Sequence, residues 1–234
     1  MNRYFTFSIH SPGSAVAFDP SKTKFKSIPL WPVLVRVIHH ILPEEGSRKF
    51  VAPDTNAAKD TREMINCSTV KGDPRYSRSL AIIDKDRLGV GTDESEAKAL
   101  IGDVKGYHVI IADDDVNTAG TLEDAARICK EGDALSVSFM AAHPKYGADF
   151  QGVRVITHLI DNGLLDFVLT GNTCEEPTGE LRELMRCPGY RNKFITIPTE
   201  PIVADLIEAV ATDSPYSHLF SSRRVLGAYN RLET

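Results

Sequence analysis

Seven short runs of apolar, β-branched or aromatic residues punctuate the chain: YFTFSI at 4–9, KFVAP at 49–53, SLAIID at 79–84, YHVIIA at 107–112, ALSVSFMAA at 134–142, FVLTG at 167–171 and KFITIP at 193–198. Each has the length and residue types of a strand. Between them, WPVLVRVIHHIL (31–42), TLEDAARICKEG (121–132), GVRVITHLIDNG (152–163) and EPIVADLIEAVAT (200–212) repeat apolar residues at spacings of three and four, the helical period. Trp31 and Pro32 mark a helix start, because proline is tolerated in the first turn. This alternation predicts an α/β fold with a mostly parallel sheet flanked by helices, in which ligands bind at the carboxyl ends of the strands. Residues 66–107 depart from the pattern. They hold many charges and glycines and one short strand, and are expected to form a mobile excursion, a flexible flap, on a single domain spanning 1–234.

Composition narrows the classes of partner. A chain of 234 residues with 42% hydrophobic and 25% charged residues can bury one substantial core. Its net charge of -5 comes from interspersed residues, so no basic tract favours nucleic acid, and a small-molecule ligand is the default. Cys67, Cys129, Cys174 and Cys187 lie far apart, without the close pairs of a zinc site, and read as reduced thiols. No apolar run reaches membrane-span length, and the first residues lack the features of a secretory signal. The cytoplasm is the expected location.

The candidate chemistry concentrates in IIADDDVNTAGTLEDAARI, from Ile110 to Ile128. The strand is expected to end at Asp113 and Asp114 and the helix to begin near Thr121, a good N-cap, with Glu123 and Asp124 suited to the first turn. The intervening Asn117, Thr118, Ala119, Gly120 and Thr121 offer backbone N–H groups, hydroxyls and a glycine that lets an anion approach closely. Adjacent carboxylates would repel a bare phosphate but suit vicinal ribose hydroxyls and a hydrated Mg2+. Together they favour a ribose 5-phosphate moiety.

This stretch resembles the phosphoribosyl pyrophosphate motif of type I phosphoribosyltransferases, and more closely that of ribose-phosphate pyrophosphokinases. The resemblance implies that Asp113 and Asp114 hold the ribose and that Thr118, Gly120 and Thr121 belong to the 5-phosphate loop; Asn117 stands where the family has an aspartate. FVAPDTNAAKD (50–60) is similar to the family's pyrophosphate loop, so Asp54, Thr55, Asn56 and Lys59 inherit pyrophosphate binding, with Asn56 in place of a glycine. IIDKDR (82–87) is similar to the flexible catalytic loop, which gives Lys85 and Arg87 the role of stabilising charge on the transferring group. SIHSPGSAVAFDP (8–20) is similar to the family's metal-binding segment, implying Mg2+ ligation by His10 together with Asp54; Ser8 replaces an acid. The tail, with its Ser-x-x-Phe-Ser ending, favours the pyrophosphokinases over simple phosphoribosyltransferases.

The resemblance implies transfer of the diphosphoryl group of MgATP to the anomeric hydroxyl of ribose 5-phosphate, releasing AMP. Family members carry a further domain ahead of the matching segment, which supplies ATP contacts; that this sequence shows no equivalent leaves open a remodelled ATP site, a site completed by a second subunit of a homo-oligomer, a complex with a separate N-terminal half, or a sequence that is a fragment of a longer chain. Three alternatives stay open. Asn117 removes a charge beside the phosphate and would ease a diphosphate there, as in ADP-ribose. A phosphoribosyltransferase would consume the phosphoribosyl pyrophosphate instead of making it. A non-catalytic, synthetase-associated regulatory subunit would keep the fold alone. His39 and His40 are assigned to packing and solvation, and His143 has no assigned role.

Overall fold

The computed structural model describes residues 2–67, 72–85 and 98–215, apart from the side chains of Pro12, Lys85 and Lys98. The chain enters through β1 (Asn2–Phe7) and β2 (Thr23–Ile28), a separate two-stranded parallel ribbon. Then follow α1 (Trp31–Ile41), β3 (Ser47–Ala52), α2 (Ala58–Ile65), β4 (Ala81–Lys85), β5 (Lys98–Ile101), β6 (Tyr107–Val116) and α3 (Gly120–Glu131). The described residues close with β7 (Ser136–Pro144), α4 (Gln151–Asp161), β8 (Phe167–Gly171), α5 (Gly179–Arg186), β9 (Phe194–Ile197) and α6 (Glu200–Ala211). The seven-stranded main sheet has the order β5-β4-β3-β6-β7-β8-β9, parallel throughout except for β5, which runs antiparallel to β4.

Alternation along the central strands builds two cores. Ile110 and Ala112 of β6, with Met140 and Ala142 of β7, pack on one face beneath α1. Val109 and Ile111, with Val137, Phe139 and Ala141, pack on the other against α3 and α4. Successive side chains of a strand point to opposite faces, so a sheet covered on both sides requires apolar residues at every position. The α/β architecture agrees with the pattern of the sequence. Three elements escape that pattern. Strand β2, TKFKSI, alternates charged exposed residues with half-buried ones and carries little apolar signal. Helix α5 buries none of its residues, and α2 is predominantly polar. The segment expected to hold one strand holds two, because β5 returns along β4 as the sheet's antiparallel edge.

Arg48 is fully buried at the start of β3. Its guanidinium donates to the carbonyls of His39, Leu42 and Pro43 and to the Tyr76 hydroxyl at 2.7–3.3 Å, and lies 5.2 Å from the Tyr76 ring centroid. It thereby caps the carboxyl end of α1, where carbonyls lack intrahelical donors and the helix dipole favours a cation.

Candidate active site

Neighbouring parallel strands deliver their carboxyl ends to one edge of the sheet, and the acids collect there. Strand β6 runs two residues beyond the expected end at Asp114, so Asp113, Asp114 and Asp115 are all on the strand and half-buried. Asp54 follows β3, the neighbour of β6; its Oδ1 accepts the N–H groups of Asn56 at 2.8 Å and Ala57 at 3.0 Å, folding the turn that leads into α2. His10 arrives from the β1–β2 ribbon. Ser8 takes a positive φ of 39°, its hydroxyl accepts the Leu30 N–H at 2.8 Å and its carbonyl lies 3.0 Å from His143 Nε2. That strained turn aims His10 Nδ1 at Asp114 Oδ2. His10, Asp54, Asn56, Asp60 and the three consecutive aspartates border one cavity of about 230 Å³.

The two central carboxyls divide one proton unequally. Burial pushes Asp113 up to about 8, helped by a hydrogen bond with Asp114 and by the charges of Asp114 and Asp54. Burial also pushes Asp114 upward, but hydrogen bonds with His10 and Asp113 outweigh it and hold that carboxyl below its ordinary value. Two carboxyls in contact cannot both ionise cheaply. At neutral pH the pair offers one protonated donor and one anionic acceptor.

A divalent cation fits beside this pair. Ligand atoms of His10, Asp114 and Asp115 lie within 4.8 Å of one another. Two carboxylates and an imidazole suit Mg2+ or Mn2+. Lys145, just beyond β7, donates to Asp115 Oδ2 at 2.5 Å, so its ammonium already balances part of the charge a cation would neutralise.

Residues 117–121 form the link between β6 and α3. Asn117, Thr118 and Gly120 are exposed, while Ala119 is buried and holds a left-handed φ of 65° as the residue before the helix. Helix α3 therefore begins at Gly120, one residue before the expected Thr121 cap, which sits inside the first turn. The first N–H groups of a helix have no intrahelical acceptor and point at an incoming anion. A second turn braces this loop from below. Tyr146 N–H donates to Val116 O and Gly152 N–H to Tyr146 O, each at 2.8 Å. A Cβ on Gly152 would stand 2.2 Å from Asn117 O, so only glycine lets α4 approach the loop this closely.

No protein-family model matches the chain. Curated relatives do. The ribose-phosphate pyrophosphokinase of Clostridium perfringens is 30% identical over 171 residues, which cover 73% of this chain and 46% of the relative. That of Cereibacter sphaeroides is 27% identical over 229 residues, covering 98% of this chain and 60% of the relative. The chain is a relative of the ribose-phosphate pyrophosphokinases. It spans roughly half the length of these pyrophosphokinases, between 46% and 60%. A phosphoribosylpyrophosphate synthetase from Mycobacterium smegmatis superposes with a TM-score of 0.68 at 22% identity, covering 91% of this chain and 60% of that one, which establishes a shared fold.

Of the residues that the pyrophosphokinase resemblance singles out, the structure gathers His10, Asp54, Asn56, Asp113 and Asp114 around one cavity. Thr55 is exposed on the Asp54 turn, and Lys59 follows in the first turn of α2. Lys85 ends β4; its side chain lies outside the described residues, as do Arg87 and the Ser-x-x-Phe-Ser ending. The cluster of possible ligand atoms pairs His10 with Asp114 and Asp115, whereas Asp54 commits Oδ1 to two backbone amides. Asp115 and Lys145 escaped sequence reasoning, and His143 was given no role by it. Asp115 pairs in register with His143 across β6 and β7, and His143 Nδ1 lies 2.7 Å from Thr173 Oγ1, so neighbouring strands tie these positions together.

Proposed function

We propose that this cleft is the site of a diphosphotransferase that moves the pyrophosphoryl group of MgATP to the anomeric hydroxyl of ribose 5-phosphate, giving phosphoribosyl pyrophosphate and AMP. The observation that carries the reading is the convergence of the paired carboxyls Asp113 and Asp114, the Asp54 turn and His10 on one cavity, directly upstream of a loop exposed at the start of α3. Homology to the pyrophosphokinases supports it.

In this reading the amides and hydroxyls of residues 117–121 hold the 5-phosphate, and Asp113 and Asp114 orient the vicinal ribose hydroxyls. His10, Asp114 and Asp115 hold Mg2+, with Asp54 bordering the same cavity. The metal supplies charge neutralisation and alignment of the phosphates. The anomeric oxygen attacks the β-phosphorus and gives up its proton, the bond from that phosphorus to the α–β bridging oxygen breaks, and AMP leaves with the electron pair. Such a transfer demands positioning and cationic neutralisation of the equatorial oxygens more than covalent chemistry. Lys59 lies beside the cleft for that task, and the family resemblance gives the same task to Lys85 and Arg87.

The test is AMP release from MgATP with ribose 5-phosphate, with ADP-ribose and with no acceptor, alongside the Asp113→Asn/Asp114→Asn variant. The expected result is AMP and phosphoribosyl pyrophosphate in equal amounts, dependent on ribose 5-phosphate and reduced at least about 100-fold in the variant. Activity with ADP-ribose alone would reassign the acceptor. Phosphoribosyl pyrophosphate consumption with a nucleobase, or no AMP with any acceptor, would refute the reading.

A further inference from the structure

A second cavity, of about 320 Å³, opens on the same two carboxyls but on the α1 face of the sheet. Its halves differ in chemistry. One is apolar, lined by Trp31 and Pro29 together with the buried Leu34, Met64 and Ala142. The other is polar: Lys59, Asp60 and Glu63 line it from α2, with Lys59 and Glu63 one helical turn apart on the same side. Among the described residues, these three side chains and the Trp31 indole N–H have no hydrogen-bond or ion-pair partner. The walls are fixed by bonds made elsewhere, since Ser27 Oγ accepts the Ile9 N–H at 3.0 Å and Ser8 Oγ accepts that of Leu30.

A sugar phosphate cannot use this space well. Its polar half sets the carboxyls of Asp60, Glu63, Asp113 and Asp114 against one ammonium, and with Asp113 protonated the other three would still repel a phosphate placed inside. Its apolar half needs a flat, weakly hydrated ring, for which an indole face is a stacking surface. A purine nucleoside satisfies both halves. The base would lie against Trp31, its amino group and the ribose hydroxyls would donate to Asp60 and Glu63, and its phosphates would be directed out past Lys59 towards the acid cleft.

We propose that this cavity receives the adenine nucleoside of the pyrophosphoryl donor, stacked on Trp31. The inference rests on the diphosphotransferase reading. It assigns to this chain a nucleoside site bounded entirely by its own residues.

Trp31 is the only tryptophan in the sequence, so the proposed site carries its own reporter. Intrinsic fluorescence would be titrated with adenosine, AMP, MgATP and ribose 5-phosphate. Saturable quenching is expected with the first three and none with ribose 5-phosphate. Trp31→Ala should raise the KM for ATP about tenfold, the loss expected for a base–aromatic stack, while Trp31→Phe largely restores it and the KM for ribose 5-phosphate moves little. Glu63→Gln, an exposed change that leaves the packing intact, should weaken AMP binding severalfold by calorimetry. Quenching by nucleosides in a protein that releases no AMP with any acceptor would support the cavity while removing the reaction. No quenching by adenosine or AMP in a protein that does release AMP would overturn the cavity and leave the reaction standing. Quenching by ribose 5-phosphate alone would also overturn it.

Discussion

Replacing Gly152 by alanine isolates the brace beneath the 117–121 loop, the proposed phosphate site. The added Cβ would lie 2.2 Å from the Asn117 carbonyl oxygen and 3.1–3.2 Å from Tyr146 Cα and O. Contacts to a Cβ below 3.0 Å do not occur, so the backbone at Asn117 must withdraw by about 1 Å, because a helix start and a backbone carbonyl cannot flex away as a side-chain tip can. Crowding of this kind costs about 1–3 kcal/mol. Gly152 is the second residue of α4, so the alanine returns about 1 kcal/mol of helix propensity. The net loss is about 0–2 kcal/mol, a fall in Tm of roughly 0–8 °C for a chain of this size. The effect on the site is larger in proportion, since a displacement of about 1 Å in a positioned group costs about 100-fold in rate. The assay is kcat/KM for the proposed acceptor, ribose 5-phosphate, and its Kd by calorimetry, measured beside Tm. A variant that keeps the Kd of the parent, or whose activity falls only as far as its unfolded fraction rises, would refute the claim that α4 sets the loop's position.

Three other outcomes follow from the same geometry. Asp113 titrates near 8 in the folded chain against 3.8 for a free carboxyl, so its contribution to stability is intact below about pH 4 and lost as pH rises through 8. Without divalent cation, Asp113→Asn should therefore match the parent or fall below it in thermal unfolding at pH 4 and exceed it at pH 8, and a gain of equal size at both would contradict the buried, protonated carboxyl. Arg48→Met should lose about 3 kcal/mol in urea unfolding, because the carbonyls of Leu42 and Pro43 and the Tyr76 hydroxyl would lose their donor. Lys145→Ala should tighten Mn2+ binding a few-fold by calorimetry, a modest effect because the ion pair with Asp115 is half-exposed; weaker binding would show that Lys145 supports the cation instead of competing with it.

The sequence by itself determined the architecture and the ends of the chemistry. Continuous apolar runs such as YHVIIA can be buried on both faces only in a covered sheet, and the acids and loop that follow on the same run must emerge at its carboxyl end. Local chemistry also placed the Asp54 turn, which is closed by bonds two and three residues away. Tertiary structure decided what no spacing encodes. Asp115 acquires Lys145 from just beyond the adjacent strand, His10 reaches Asp114 across 104 positions, and the titration of Asp113 follows from burial beside a second carboxyl. Gly152 and Trp31 look like ordinary helix-start residues in the sequence; one is fixed by a carbonyl 35 positions earlier, and the other faces a cavity that exists only when α1, α2 and β6 meet. The reason is physical: periodicity reports which face of an element is dry, whereas a site is made where the polar ends of several elements share one small volume of low dielectric.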